Sequence, residues 1–368
     1  KWTDAFTCSP SRRMESSSGQ HRLKVWKKVL FQHRSVLNWF SGDKKPSMPD
    51  DPDESFVINT LLKNRDGSAT PPIRAGDGCV PLMAPGDDAA LVRPDMAVTV
   101  DTMVEGVHWD DNLSPEDVGW KLVACNASDI NAMGGIPSWA VLSIALPSPL
   151  DRAWVQSFSA GLSEAMSEWN IELVGGDTTR SRSGRVVSLT LGGQVATPIG
   201  RSLATLGETV WVSGPLGGPA AAFLLKSEDS SAQQSLRRPH PPIGLGPALS
   251  QSKHIGAMMD LSDGLSRDLQ RMCEASDVGA DIQPDTLPAH DAVIGHTSAL
   301  ALMTGFGEEY ELLFTAAPEG RAEIEAICAA FDRRPTAIGQ ITDSDKGHPV
   351  LAGQAWPPLQ FTHFREDA

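Results

Sequence analysis

Apolar residues along this chain recur in two rhythms, short β-type runs and longer stretches of helical spacing, which alternate from about Met96 onward. Met96 to Val100 reads as a strand that delivers Asp101 at its end. Ser114-Pro115-Glu116-Asp117 is a helix start, with Ser114 as N-cap and Pro115 at the first helical position, and the spacing predicts a helix to about Met133, stopped by Gly134-Gly135. Asn126 and Asp129 stand three apart on it and share a face. Trp139 to Leu146 is predicted as a strand and Arg152 to Trp169 as a helix. Ile171 to Val174 reads as a short strand opening into Gly175-Gly176-Asp177, and Arg185 to Val195 as the last strand of this half.

A second series begins with a strand at Glu208 to Val212 and a helix over Ala220 to Leu225. Ser227 to Pro247, rich in Ser, Pro and Gly, reads as a loop leading into a short helix. Strands are predicted at Ala257 to Leu261, Tyr310 to Thr315 and Thr336 to Ile341, and helices at Gly264 to Ala275 and Glu319 to Phe331. The pattern predicts an α/β (α+β) protein of two domains, 48–200 and 201–368, behind a segment 1–47 of different character.

Polar residues at the ends of these runs carry the candidate chemistry. Asp87, Asp88, Asp101, Asp129, Asp177, Asp260 and Asp263 occupy five short segments set against Gly, Ser or Thr. Any one such segment is an ordinary turn or N-cap composition. Five of them, free of His or Cys partners, suit hard oxygen ligation of Mg²⁺, the ion that bridges to phosphates. The expectation is a Mg²⁺-dependent phosphoryl-transfer site. Neither a G-x-G-x-x-G nor a P-loop is present, so a Rossmann dehydrogenase and a P-loop kinase are unsupported.

Charge sharpens this picture. The 368 residues sum to −15, yet residues 1–47 alone carry +7, which leaves −22 for the remainder. An acidic body argues against nucleic acid as a partner. The five cysteines are an odd number without a C-x-x-C pair, as expected of a reducing, cytoplasmic setting, and no apolar run is long enough to span a membrane. The basic, Ser-rich segment 1–47 reads as an extension outside the fold, disordered, with Met48 as the natural start of the folded chain.

The wording and order of the motifs resemble the thiamine-monophosphate kinase family, within the ATP-binding superfamily of aminoimidazole ribonucleotide synthetase and selenophosphate synthetase. The resemblance spans about Ser55 to Phe364. It rests on Gly86-Asp87-Asp88-Ala89-Ala90, the run from Asp101 to His108, the run from Asn126 to Gly135, Gly175-Gly176-Asp177-Thr178-Thr179-Arg180, Asp260-Leu261-Ser262-Asp263-Gly264-Leu265 and Gly307-Glu308-Glu309-Tyr310-Glu311-Leu312. It implies an N-terminal mixed sheet with helices, a C-terminal α/β domain, a homodimer, and transfer from ATP to thiamine monophosphate through several Mg²⁺ ions. No covalent nucleophile is expected.

By that resemblance Asp88, Thr99, the Val100 backbone, Asp101, Asp129, Asp177, Asp260 and Asp263 would hold Mg²⁺, with Asp87 behind them. Gly176, Asp177, Arg201, Ser262 and Trp169 would meet ATP, and His108, Glu308 and Phe361 the substrate. Three residues depart from the family pattern, Phe306 where a Gly is usual, Glu309 where an Asp is usual, and Trp169 where a Tyr is often found. A Phe at a position needing positive φ would displace the Glu308 loop. That departure motivates a second reading, a catalytically idle metal and nucleotide-binding homologue. Another ATP-using member of the superfamily is the third; a selenophosphate synthetase would need a reactive Cys before Gly86, where only Cys79 lies near.

Overall fold

The structure, a computed structural model, describes residues 86–93, 95–344 and 346–355. The expectations for segment 1–47, Met48, Cys79 and Phe361 fall outside the described residues.

In the first half, β1 (Ala90–Arg93), β2 (Met96–Val104), α1 (Pro115–Ala132), β3 (Gly135–Leu146), α2 (Arg152–Glu168), β4 (Glu172–Arg180) and β5 (Val186–Val195) follow in order. Its sheet runs β1-β2-β5-β3-β4. Only the β3–β4 pair is parallel, so the sheet is mixed, as the resemblance implies. Two strands outrun their predictions. Thr102-Met103-Val104 continues β2 past Asp101, which is therefore mid-strand, and Gly175-Gly176-Asp177 lies within β4 rather than in a loop. In the second case a close approach explains the glycine: a Cβ on Gly176 would fall 2.0 Å from the Leu142 carbonyl oxygen of β3.

The helix α1 begins as predicted. Ser114 accepts from the Asp117 amide at 3.1 Å while Asp117 accepts from the Ser114 amide at 3.4 Å, a reciprocal cap with Pro115 behind it. Met133 caps the other end, and Gly134 at φ +74° turns the chain into β3. Fifteen of the eighteen residues of α1 are buried, which places it between layers rather than on a surface. Against α2 it packs almost backbone to backbone, because Gly161 faces the Glu116 carbonyl and Gly119 faces the Phe158 carbonyl. A Cβ at Gly161 would lie 1.9 Å from the Glu116 oxygen. Gly161→Ala is therefore expected to cost at least about 2 kcal/mol, read from the midpoint of urea unfolding at unchanged slope.

The second half contains β6 (Thr209–Val212), α3 (Gly218–Leu224), α4 (Ser230–Arg237), α5 (Leu245–Leu249), β7 (Ile255–Asp260), α6 (Leu265–Ser276), β8 (Gly279–Ile282), α7 (Ala299–Gly305), β9 (Leu312–Ala316), α8 (Arg321–Ala329), β10 (Thr336–Thr342), β11 (Val350–Leu351) and β12 (Gln354–Ala355). Its sheet runs β12-β11-β8-β10-β6-β9-β7, with β7 at the edge nearest α1. The predicted loop 227–247 contains a helix, α4, capped by Asp229. Only Ala232 and Leu236 of α4 are buried, too few apolar positions to show a period among the serines and glutamines.

Candidate active site

Helix α1 and strand β2 set the geometry of the acidic site. The Asn126 carboxamide oxygen accepts from the Asp101 amide at 3.1 Å, and one turn on the Thr99 hydroxyl donates to the Asp129 carboxylate at 2.6 Å. The shared face predicted for Asn126 and Asp129 is the face that meets β2. Between them, Ser128 reaches the second sheet and donates to Asp260 at the end of β7 at 2.6 Å. Asp88, in the turn before β1, is ion-paired with Arg201, whose backbone amide donates to Asp87 at 2.8 Å. The second Asp88 oxygen is buried without a donor.

Electrostatics ties these carboxylates together. Burial, then the charge of Asp263, pushes Asp101 up to about 6. Asp129 is held well above the ordinary carboxylate range by burial and by Asp101, Asp260 and Asp88, and Asp260 likewise by burial and by Asp88. Burial raises Asp88 also, opposed by Arg201. Carboxylates this close oppose one another's ionisation until a cation is shared among them.

On the turn after β7, Asp263 pairs with Arg271 at 2.7 Å. Asp268, on the first turn of α6, accepts from the amides of Asp263 and Gly264 at 3.0 Å each and is pushed up to about 7 by burial and by Asp263. Sequence reading missed Asp268; its signal was an acid in the first turn of a helix opening beside a ligand motif. Asp268 thus occupies the amides at the N-terminus of α6, next to Ser262.

Ser262 itself meets the loop of Glu308, whose amide donates to the Ser262 carbonyl at 2.9 Å. A Cβ on Gly307 would stand 1.9 Å from that same oxygen, so only glycine fits there. The feared displacement by Phe306 does not occur: Phe306 is extended at φ −112°, buried, and packed against Phe223, while the positive φ falls on Glu308 itself. Glu309 is half-buried and accepts from the Gly217 amide at 2.6 Å. Both of these departures are absorbed by the core beneath the loop. His108 is half-buried and its Nδ1 accepts from the Val104 amide at 3.0 Å, in the turn after β2.

Two nucleotide candidates stand apart. Asp101 aligns through Leu189 and Leu142 with Gly176, three strand spacings away, or roughly 14 Å. Asp177 aligns with Ser143, Ser188 and Thr102 and so points to the opposite, outer face of the sheet. All of β4 is exposed, and Val100 on the same outer face is 59% exposed. Trp169, half-buried at the end of α2, packs edge-on against Trp120 at 5.3 Å between centroids. Strands β3 and β5 are interior to this sheet; among the described residues its edge strands are β1 and β4.

Among the described residues no three His, Cys, Asp or Glu side chains converge as a closed metal site; Asp129, Asp260 and Asp88 turn instead to Thr99, Ser128 and Arg201. The donor set still fits Mg²⁺. It is all oxygen, mutually repelling, and includes the partnerless buried oxygen of Asp88.

Residues 86–195 match the family described as AIR synthase related protein, N-terminal domain, and residues 206–351 match AIR synthase related protein, C-terminal domain. The thiamine-monophosphate kinase of Haemophilus influenzae is 37% identical over 275 residues, covering 70% of this chain and 82% of that enzyme. The solved thiamine-monophosphate kinase from Stenotrophomonas maltophilia K279a is similar at TM-score 0.66 and 34% identity, over 75% of this chain and 92% of that one. AaThiL complexed with AMPPCP and TMP is similar at TM-score 0.71 and 28% identity, over 85% and 97% of the two chains. With both halves matched and four of the five acidic segments gathered where the two sheets meet, the chain belongs to the thiamine-monophosphate kinase family.

Proposed function

We propose that the protein transfers the γ-phosphate of ATP to thiamine monophosphate, giving thiamine diphosphate and ADP, by direct in-line attack. The observation that carries this reading is the cluster of mutually repelling carboxylates Asp88, Asp101, Asp129 and Asp260, joined through the Ser262 turn to the Glu308 loop. Donor and acceptor are both anions, so positioning and charge neutralisation dominate the barrier.

Asp88, Asp101, Asp129, Asp260 and Asp263 would hold Mg²⁺, with the Thr99 hydroxyl and the Val100 backbone beside them. Bound there, Mg²⁺ would neutralise phosphate oxygens and let two anionic groups approach. Arg201 and Ser262 bind phosphate, and a guanidinium suits that task by its paired donors. His108 and Glu308 orient the thiamine portion, and Phe361 is proposed to pack on it. The cysteines support direct transfer, because burial holds the Cys125 thiol far above its ordinary range and pushes Cys273 and Cys328 up to about 12.

The fully exposed β4 and the exposed Val100 on the outer face of the first sheet support a homodimer joined through that face. Gly176 and Asp177 would then serve the acidic cluster of the other copy, with Trp169, three residues before β4, offering its ring to adenine. Residues 48–200 are read as the Mg-ATP-binding and dimerisation domain and 201–368 as the part that completes the site. The free Cys125, Cys273 and Cys328 support a reducing, cytoplasmic setting, and among the described residues no helix is long and apolar enough to cross a membrane.

A coupled ADP-release assay tests the reaction. ADP should appear only when ATP, Mg²⁺ and thiamine monophosphate are all present. ADP release without the acceptor, or none with it, would refute the proposal.

A further inference from the structure

Glu308 is unusual among the acids of its loop. Glu309 and Glu311 point inward, to the Gly217 amide and to Ser213 and Arg333, whereas the Glu308 side chain keeps 29% of its surface exposed. Its backbone sits at φ +68°, a conformation that costs a non-glycine residue free energy and persists only when neighbours hold it. One of those neighbours is Lys121. From the first half of α1, its ammonium donates to the Leu236 carbonyl of α4 at 3.1 Å and lies 2.7 Å from Glu308 Oε1. The lysine side chain is only 3% exposed, so its charge is matched almost wholly by Glu308.

We propose that Lys121 is the positioning residue for Glu308, fixing Oε1 so that Oε2 meets the thiamine portion of the substrate. This rests on the reading above that Glu308 contacts that substrate. Thiamine monophosphate carries a cationic thiazolium and an aminopyrimidine, the kind of group a fixed carboxylate oxygen opposes in charge or accepts from. A glutamate has three rotatable bonds, and without an anchor its carboxylate spreads over many rotamers, each of which must be frozen on binding. The anchor comes from α1, the same helix that carries Asp129 and Asn126, so acceptor and acidic cluster share one rigid reference. Tyr310 adds a second tie to α1, within hydrogen-bond reach of Cys125 at 3.0 Å.

The test compares Lys121→Met, Lys121→Arg, Glu308→Gln and the double variant Lys121→Met/Glu308→Gln in steady-state kinetics with each substrate varied. Lys121→Met should raise KM for thiamine monophosphate about tenfold, the range of one lost charge-assisted contact, and leave KM for ATP within about twofold. Lys121→Arg should recover most of that loss. The double variant should be no worse than Glu308→Gln alone, because the lysine acts through the carboxylate. Additive losses, or an equal rise in KM for ATP, would show a merely structural lysine and overturn the proposal. A silent Glu308→Gln would remove Glu308 from the substrate site; an impaired Glu308→Gln beside a silent Lys121→Met would overturn the role of Lys121 alone. If Lys121→Met does not fold, Lys121→Gln keeps a donor for the Leu236 carbonyl and carries the same expectations.

Discussion

Asp129→Asn is expected to lower kcat by about 10²-fold or more at saturating Mg²⁺, and Asp101→Asn similarly, because each removes a charge proposed to hold the Mg²⁺ that offsets the phosphoryl group's own charge. The same substitutions should raise the melting temperature of the metal-free protein at pH 8. Asp129 is held well above its ordinary range by burial and by Asp101, Asp260 and Asp88, so its ionisation works against the fold. The pH dependence follows in sign. Asp101 at about 6 and Asp268 at about 7 bind protons more tightly in the folded chain than in the unfolded one, where carboxylates titrate near 4. Stability of the metal-free protein should then fall as pH rises from about 4 through about 7, and Mg²⁺ should flatten the slope. Thermal melts at several pH values, with and without Mg²⁺, check both statements. A variant with wild-type turnover would strike that residue from the site.

The second large effect concerns the outer face of the first sheet. If Asp177 serves the cluster of the other copy, Asp101→Asn and Asp177→Asn are each nearly inactive alone but complement one another when mixed. Random exchange makes half of the dimers mixed, and each mixed dimer has one site with both aspartates intact, so about a quarter of wild-type activity should return. Subunits co-expressed with two different tags and purified in sequence would enrich the mixed species to about half of wild-type activity. No recovery, or sedimentation as a 39.3 kDa species, would mean that Asp177 does not act across a dimer.

Much of this was legible in the sequence, and the misses share physical causes. The start of α1 was readable because a reciprocal cap and a proline are local signals, and its end because Gly134 alone tolerates the turn that follows. The face uniting Asn126 with Asp129 followed from helical spacing. Strand ends were less legible. Thr102-Met103-Val104 and Gly175-Gly176-Asp177 extend β2 and β4 because partner strands supply hydrogen bonds, which no window of sequence contains. Helix α4 escaped because its buried side is only Ala232 and Leu236. Phe306 was misjudged because the family's glycine suggested a positive φ, whereas the chain places that conformation two residues later. Lys121 and Asp268 gave no motif; their partners lie on other elements or in backbone amides beyond sequence reading.

The burial of α1 on nearly every side bears on how such a chain can change over generations. Its Val123, Ala127 and Ile130 belong to the first apolar core, while Trp120, Lys121, Ser128 and Asn131 bond to Pro239, Leu236, Asp260 and the amides of Gly244 and Gly246 in the second half. A hybrid that joined the front of one relative to the back of another would inherit one helix answerable to two ancestries. Grafts should therefore succeed when the outward-facing residues of α1 travel with the second half, and drift at those positions should be paced by whichever half tolerates less.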